Sequence, residues 1–171
     1  MVELKNLNID FTPNKETPYF QANHHKRIRF ILDKLTLKNL KSILEKIFKT
    51  KSIQTIFISG YSFQNKNIYA KTGIGKVIQL KNWQEITENL YHTPDGRVIL
   101  TKLKKLNCTD VYHYCSSIKK GNPESYIVFY SDDFLLYVNS DVIDIISNNT
   151  ENIQMLKKSF KPLYDTYYEH N

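Results

Sequence analysis

The apolar positions of "TLKNLKSILEKIFK", which starts at Thr36, recur at helical spacing. Leu37, Leu40, Ile43, Leu44, Ile47 and Phe48 fall on one side, with Lys38, Lys41, Lys46 and Lys49 largely away from them. Thr36 suits the N-cap, where its hydroxyl can accept from a free amide of the first turn. The preceding "RIRFILDKL" places Ile28, Ile31, Leu32 and Leu35 at positions that suit a helix, although "RIRFIL" would also make a strand. A helix is the expectation there.

After residue 51 the pattern changes. "SIQTIFIS" is rich in β-branched residues and predicts a strand that ends at Gly60. "NIYAK" and "KVIQL" read as short strands on either side of a "TGIG" turn. "NWQEITENLYH" pairs Asn82 with Glu85 three residues on, the outline of a capping box, and predicts a helix over 83–91. "TPDG" and "KKGNPE" are turns, "RVILTKL" and "DVYHYCSS" read as strands, and "SYIVFYS" and "FLLYVN" form a hairpin around Asp132 and Asp133. "SDVIDIIS" reads as a helix with Asp141 at its N-terminus and Asp144 facing solvent. A terminal helix starts at Thr150 as cap and is kinked or ended by Pro162. Residues 1–25 look largely irregular.

Consecutive strands joined by short turns imply an antiparallel sheet. The expected fold is a single α+β domain over residues 1–171, with about 5–7 strands and helices packed on one face. A chain of 171 residues fills one core and is short for two. No apolar run approaches the roughly 20 residues that span a bilayer, so no membrane association is expected. The opening "MVELKNLNIDF" lacks the basic-then-apolar order of a secretory leader. Together with only two cysteines, this points to a cytoplasmic protein with free thiols.

Charge is unevenly placed. The net charge is +7, and residues 24–51 hold nine Lys or Arg against two acids. Residues 121–171 hold three Lys against eight acids. Such asymmetry fits a nucleic acid or a complementary protein surface.

Catalytic chemistry finds little support. "AKTGIGKV" lacks the first glycine of a phosphate loop, having Ala70 there, and Val77 stands where magnesium needs a hydroxyl. Gly73 and Gly75 read as turn residues with positive φ. Cys108, His113 and Cys115 match no paired zinc spacing, although His113 and Cys115 would share a face of a strand. Cys115 and His113 lie close in sequence, but nothing marks a nucleophile's strained turn or helix N-terminus, and His92 could serve as a base. Asp132 and Asp133, helped by Asp141 or Asp144, could bind a divalent metal only from a loop. No catalytic residue, cofactor or metal site is assigned, and the chain is expected not to be an enzyme.

Binding is what remains. Tyr61, Phe63, Tyr69, Trp83, Tyr91, Tyr130 and Tyr137 are candidates for a surface, and Tyr and Trp dominate protein interfaces. A small cytosolic α+β domain with lopsided charge, many tyrosines and no active site resembles, over its whole length and in general character, the immunity proteins that neutralise bacterial polymorphic and contact-dependent toxins. The resemblance implies a cognate toxin domain as partner, and the basic balance suits a toxin with an acidic face. The candidate contacts are Asp132, Asp133, Asp141, Asp144, Tyr130, Tyr137, Trp83, Tyr61, Lys38, Lys41 and Lys46. The alternative is a nucleic-acid-binding accessory protein of a phage or mobile element that uses residues 24–51.

Overall fold

The structure, a computed structural model, describes residues 3–4, 7–12, 16–49, 51–90 and 93–169. The elements in chain order are β1 (Glu3–Leu4), β2 (Ile9–Asp10), α1 (Pro18–Gln21), β3 (Arg27–Ile31), α2 (Leu37–Phe48), β4 (Ile53–Phe63), β5 (Lys66–Tyr69), β6 (Trp83–Asn89), β7 (Gly96–Leu106), α3 (Cys108–Lys119), β8 (Ile127–Tyr130), β9 (Leu135–Val138), β10 (Val142–Ile146) and α4 (Thr150–Ser159). β1 and β2 pair as a small ribbon. The other strands form one eight-stranded antiparallel sheet in the order β3-β10-β9-β8-β4-β7-β6, with β5 on β4.

Strand alternation sorts the side chains into two clusters. Ile28 and Phe30 of β3, Phe57 of β4, Phe129 of β8 and Ile143 and Ile145 of β10 meet the apolar stripes of α2, α3 and α4. On the reverse face, Ile56, Leu100, Val128, Tyr137 and Ile146 are covered by Leu7, Ile9 and Phe11 of the N-terminal segment. Phe11 stacks on Tyr126 with ring centroids 4.6 Å apart. The one-turn α1 sits over this same face through Tyr19. Each fully buried Leu, Ile or Phe contributes about 1.5–3 kcal/mol of transfer free energy. The α+β architecture with helices against a mainly antiparallel sheet is the one the sequence implies. Among the described residues no helix is long and apolar enough to cross a membrane.

The hairpin at Asp132 and Asp133 is present. β8 and β9 pair antiparallel, and the Ser131 and Phe134 backbones close the turn at 2.8 Å. α2 begins as expected, with the Thr36 hydroxyl accepting from the Asn39 amide at 3.1 Å. α4 ends at Ser159, before Pro162, but its cap is Asn149, whose side chain accepts from the Glu151 amide.

Several expectations need correction, among them that for Gly75, which unlike Gly73 is not at positive φ. "RIRFI" is strand β3, because Arg27 and Arg29 face one side and Ile28 and Phe30 the other. "KVIQL" is not a strand: a 3-10 turn at Ile74–Lys76 and irregular chain carry Ile74 and Ile78 into the core. Gly60 does not end its strand. β4 continues to Phe63, and a Cβ at residue 60 would lie 2.4 Å from the Ile68 carbonyl oxygen, so glycine permits the close approach of β5. Residues 83–89 form strand β6 rather than a helix, with Asn82 in the left-handed region (φ 53°) instead of capping. "SDVIDII" is strand β10, preceded by a turn in which the Asn139 carboxamide accepts from the Asp141 and Val142 amides.

"DVYHYCSS" is a further case. It lies in α3, opened by a reciprocal box: the Asn107 side chain accepts from the Asp110 amide at 3.0 Å, and the Asp110 carboxylate accepts from the Asn107 amide at 2.9 Å.

Candidate docking surface

β4 is long enough to serve two neighbourhoods. Its first half pairs with β8 and β7 inside the main sheet. A register shift between Ile58 and Gly60 marks a bulge, and beyond it the second half pairs with β5 and β7 only. β5, the outer half of β4, β7 and β6 thus make a four-stranded flange. The β4–β5 turn uses Gln64 and Asn65, both at positive φ (46° and 63°), a two-residue hairpin turn that matches strand twist.

The flange carries its aromatic residues in the open. On the face shared with the helices, Tyr69, Leu80 and Trp83 surround a shallow cavity of about 200 Å³ floored by Phe57 and Thr101. Trp83 is 56% exposed. The Tyr69 hydroxyl donates to the Glu85 carboxylate at 3.4 Å, and Thr101 Oγ1 donates to Ser59 Oγ at 2.8 Å. On the reverse face Tyr61 pairs across from Ile68, with Phe63 two residues on; all three are exposed. Residues 60–106 hold eight Lys or Arg against three acids, so the segment is basic overall, while the charged side chain that lines the cavity itself is Glu85.

The other candidates divide sharply. Tyr130 and Tyr137 are not surface residues: both are buried in the reverse-face cluster, and burial pushes the Tyr130 hydroxyl up to about 12. Tyr91 and His92 lie outside the described residues. Asp144 does not face solvent. It is 0% exposed and accepts from Arg29 Nε at 2.6 Å and Nη2 at 2.8 Å, with the Arg29 guanidinium lying 4.0 Å from the Tyr19 ring centroid. Burial raises the Asp144 carboxyl above the ordinary range even against the pull of Arg29. Asp132 and Asp133 are exposed at one end of β9, where Asp133 pairs with Lys51. Asp141 is exposed at the other end of β9. The four acids therefore do not converge.

Lys38, Lys41 and Lys46 are exposed along α2. The basic segment as a whole is broken up, because Arg29 is consumed by Asp144, and Arg27 is buried and donates to the Tyr19 and Ala22 carbonyls. Helical geometry separates His113 from Cys115 by two residues, so they do not share a face as a strand would require. Cys115 is fully buried and burial pushes its thiol far up; Cys108 is raised for the same reason. Among the described residues no three His, Cys, Asp or Glu side chains come together as a metal site.

Comparison with protein-family models, curated proteins and solved structures finds no match.

Proposed function

We propose that this chain is a non-enzymatic protein-binding domain of the immunity-protein type, cytoplasmic, and that it docks on an acidic face of a toxin domain through the flange. The observation that carries this is the exposed set of Trp83, Tyr69 and Leu80 around a cavity on a rigid sheet, within a basic segment. Exposed apolar clusters of this kind mark interaction sites, and Trp and Tyr contribute the largest share of binding energy at such centres. The basic excess of residues 60–106 gives the flange as a whole charge complementarity to an acidic partner, which steers encounter and sets orientation.

Affinity capture from the native host followed by mass spectrometry would name the partner, and calorimetry with the purified partner tests the site. Trp83→Ala and Tyr69→Ala should each weaken binding by about 2 kcal/mol or more, roughly thirtyfold. Reversing Lys38, Lys41 and Lys46 to Glu should leave it nearly unchanged. Co-expression should protect cells from the partner's toxicity, and Trp83→Ala should remove that protection. Equal affinity in the flange variants would sink the assignment. So would retention on DNA or RNA at low salt that charge reversal on α2 abolishes, which would favour the nucleic-acid reading instead.

A further inference from the structure

A second concave region lies beside the flange. The loop at residues 71–77 faces the second half of α3 across two adjoining cavities of about 440 and 410 Å³. They share Lys76, Val77, Ser117 and Asn122. Each is within the roughly 300–1,000 Å³ typical of small-molecule sites.

The lining has one sign of charge. Lys71 stands on the first cavity, Lys120 on the second, and Lys76 where they meet. Among the described residues no carboxylate lines either one. Ser116 lines the second cavity and is only 7% exposed, yet its Oγ has no hydrogen-bond partner among the described residues. A buried hydroxyl without a partner costs free energy that a bound acceptor would recover. Leu37, Val77 and Tyr112 supply an apolar wall. Gly73, at φ 67°, lets the loop turn back along the trough, and a Cβ there would meet nothing within 4 Å.

We propose that this trough binds a phosphate-bearing small molecule of about nucleotide size. Its phosphate sits at Lys76 between Lys71 and Lys120, and its organic part lies along Leu37, Val77 and Tyr112. Cations around an open concavity without a competing acid favour a multiply charged oxyanion over chloride. Ser116 supplies a neutral donor that can turn toward it. The sequence "AKTGIGK" contributes Lys71, Gly73 and Lys76 here, but as a cationic rim and not as a phosphate loop, since the missing glycine and hydroxyl are still missing. The trough meets the aromatic cavity only at Thr72 and shares none of its rings, so the two sites are separable.

The test is an amide chemical-shift titration of the full chain at constant ionic strength, with chloride as the balancing ion. Inorganic phosphate should shift the amides of Gly73, Val77 and Ser117 saturably. Adenosine 5′-monophosphate should do so at lower concentration and be displaced by phosphate. The double variant Lys76→Glu, Lys120→Glu should weaken both at least tenfold, and Ser116→Ala two- to fivefold. Lys38→Glu with Lys41→Glu, and Trp83→Ala, should leave both titrations unchanged. Because the lysines are at the surface, an unaltered melting temperature in the variants separates loss of binding from loss of fold. Phosphate shifts that fail to saturate, or that survive in the Lys76, Lys120 variant, overturn the proposal. A single-stranded oligonucleotide that binds at least tenfold tighter than the mononucleotide also overturns it, by assigning the trough to nucleic acid.

Discussion

The two ends of β4 live in different surroundings. From Ile53 to Ile58 the strand is flanked on both edges and covered on both faces, by the helices on one side and by Leu7, Ile9 and Phe11 on the other. From Gly60 to Phe63 it has neighbours at its edges and open space on its faces, and its large side chains are exposed. One continuous strand thus links a region that stores stability to a region that offers side chains to something else. Substitutions in the two should separate stability from binding.

The largest effect is expected in the closed region. Asp144→Ala removes the partner of Arg29 and leaves a buried guanidinium with only ring contacts, which should cost about 3–5 kcal/mol in urea unfolding. Replacing both residues with apolar ones of similar volume should recover most of that loss. If Asp144→Ala costs less than about 1 kcal/mol, the pair is not the clamp on β3 and β10 that its geometry implies.

Next comes alkaline pH. Burial pushes the Tyr114 hydroxyl from 10.0 up to about 12, although its oxygen accepts from the Ser125 amide. A raised folded-state value means the unfolded phenol ionises first. Stability from this residue is complete below pH 10 and is lost as pH rises toward 12, by about 2–3 kcal/mol. Tyr114→Phe should flatten the decline of unfolding free energy over that interval by about one proton's worth of slope. It should also lower stability at neutral pH by about 1 kcal/mol, because the Ser125 amide loses its acceptor.

At the hinge between the two regions, Gly60→Val should cost about 1–3 kcal/mol, since the obstacle at 2.4 Å is backbone and not a yielding side chain. Hydrogen exchange should accelerate in β5 before it does in β8. Uniform acceleration would mean that the flange and the rest of the sheet open as one unit.

How much of this was legible follows the same divide. The stripe of α2, its Thr36 cap and the Asp132–Asp133 hairpin were readable because pattern and local chemistry agree. α3 was misread because Tyr112, Tyr114 and Val111 favour strands on propensity. The corrective signals were present: Asn107 with Asp110 three residues on, and Val111, Tyr114, Cys115 and Ile118 at helical spacing. β6 was misread for the opposite reason, because Asn82 and Glu85 imitate a capping box while the backbone uses Asn82 for its left-handed φ. The burial of Tyr130, Tyr137 and Asp144 was not legible locally. It depends on the N-terminal segment and α1 folding back over the reverse face, a long-range event with no periodic signature. Trp83, Tyr61, Phe63 and Tyr69 were identifiable as candidates by residue type alone; Leu80 was not, and only the fold brings Tyr69 and Leu80 to Trp83.

The smallest stability effect is expected where the proposed function is largest. Trp83 is 56% exposed, so its truncation forfeits the burial of somewhat less than half of its surface. Trp83→Ala should cost about 1–2 kcal/mol. A buried aromatic such as Phe57, directly under the same cavity, should cost about 3–5 kcal/mol on truncation to alanine. The contrast is informative in both directions. A Trp83 loss near that of Phe57 would make the flange an extension of the core, its rings there for packing. A loss within the expected range leaves the exposed half of the Trp83 ring without a role in packing, and that half is what the proposed complex would cover.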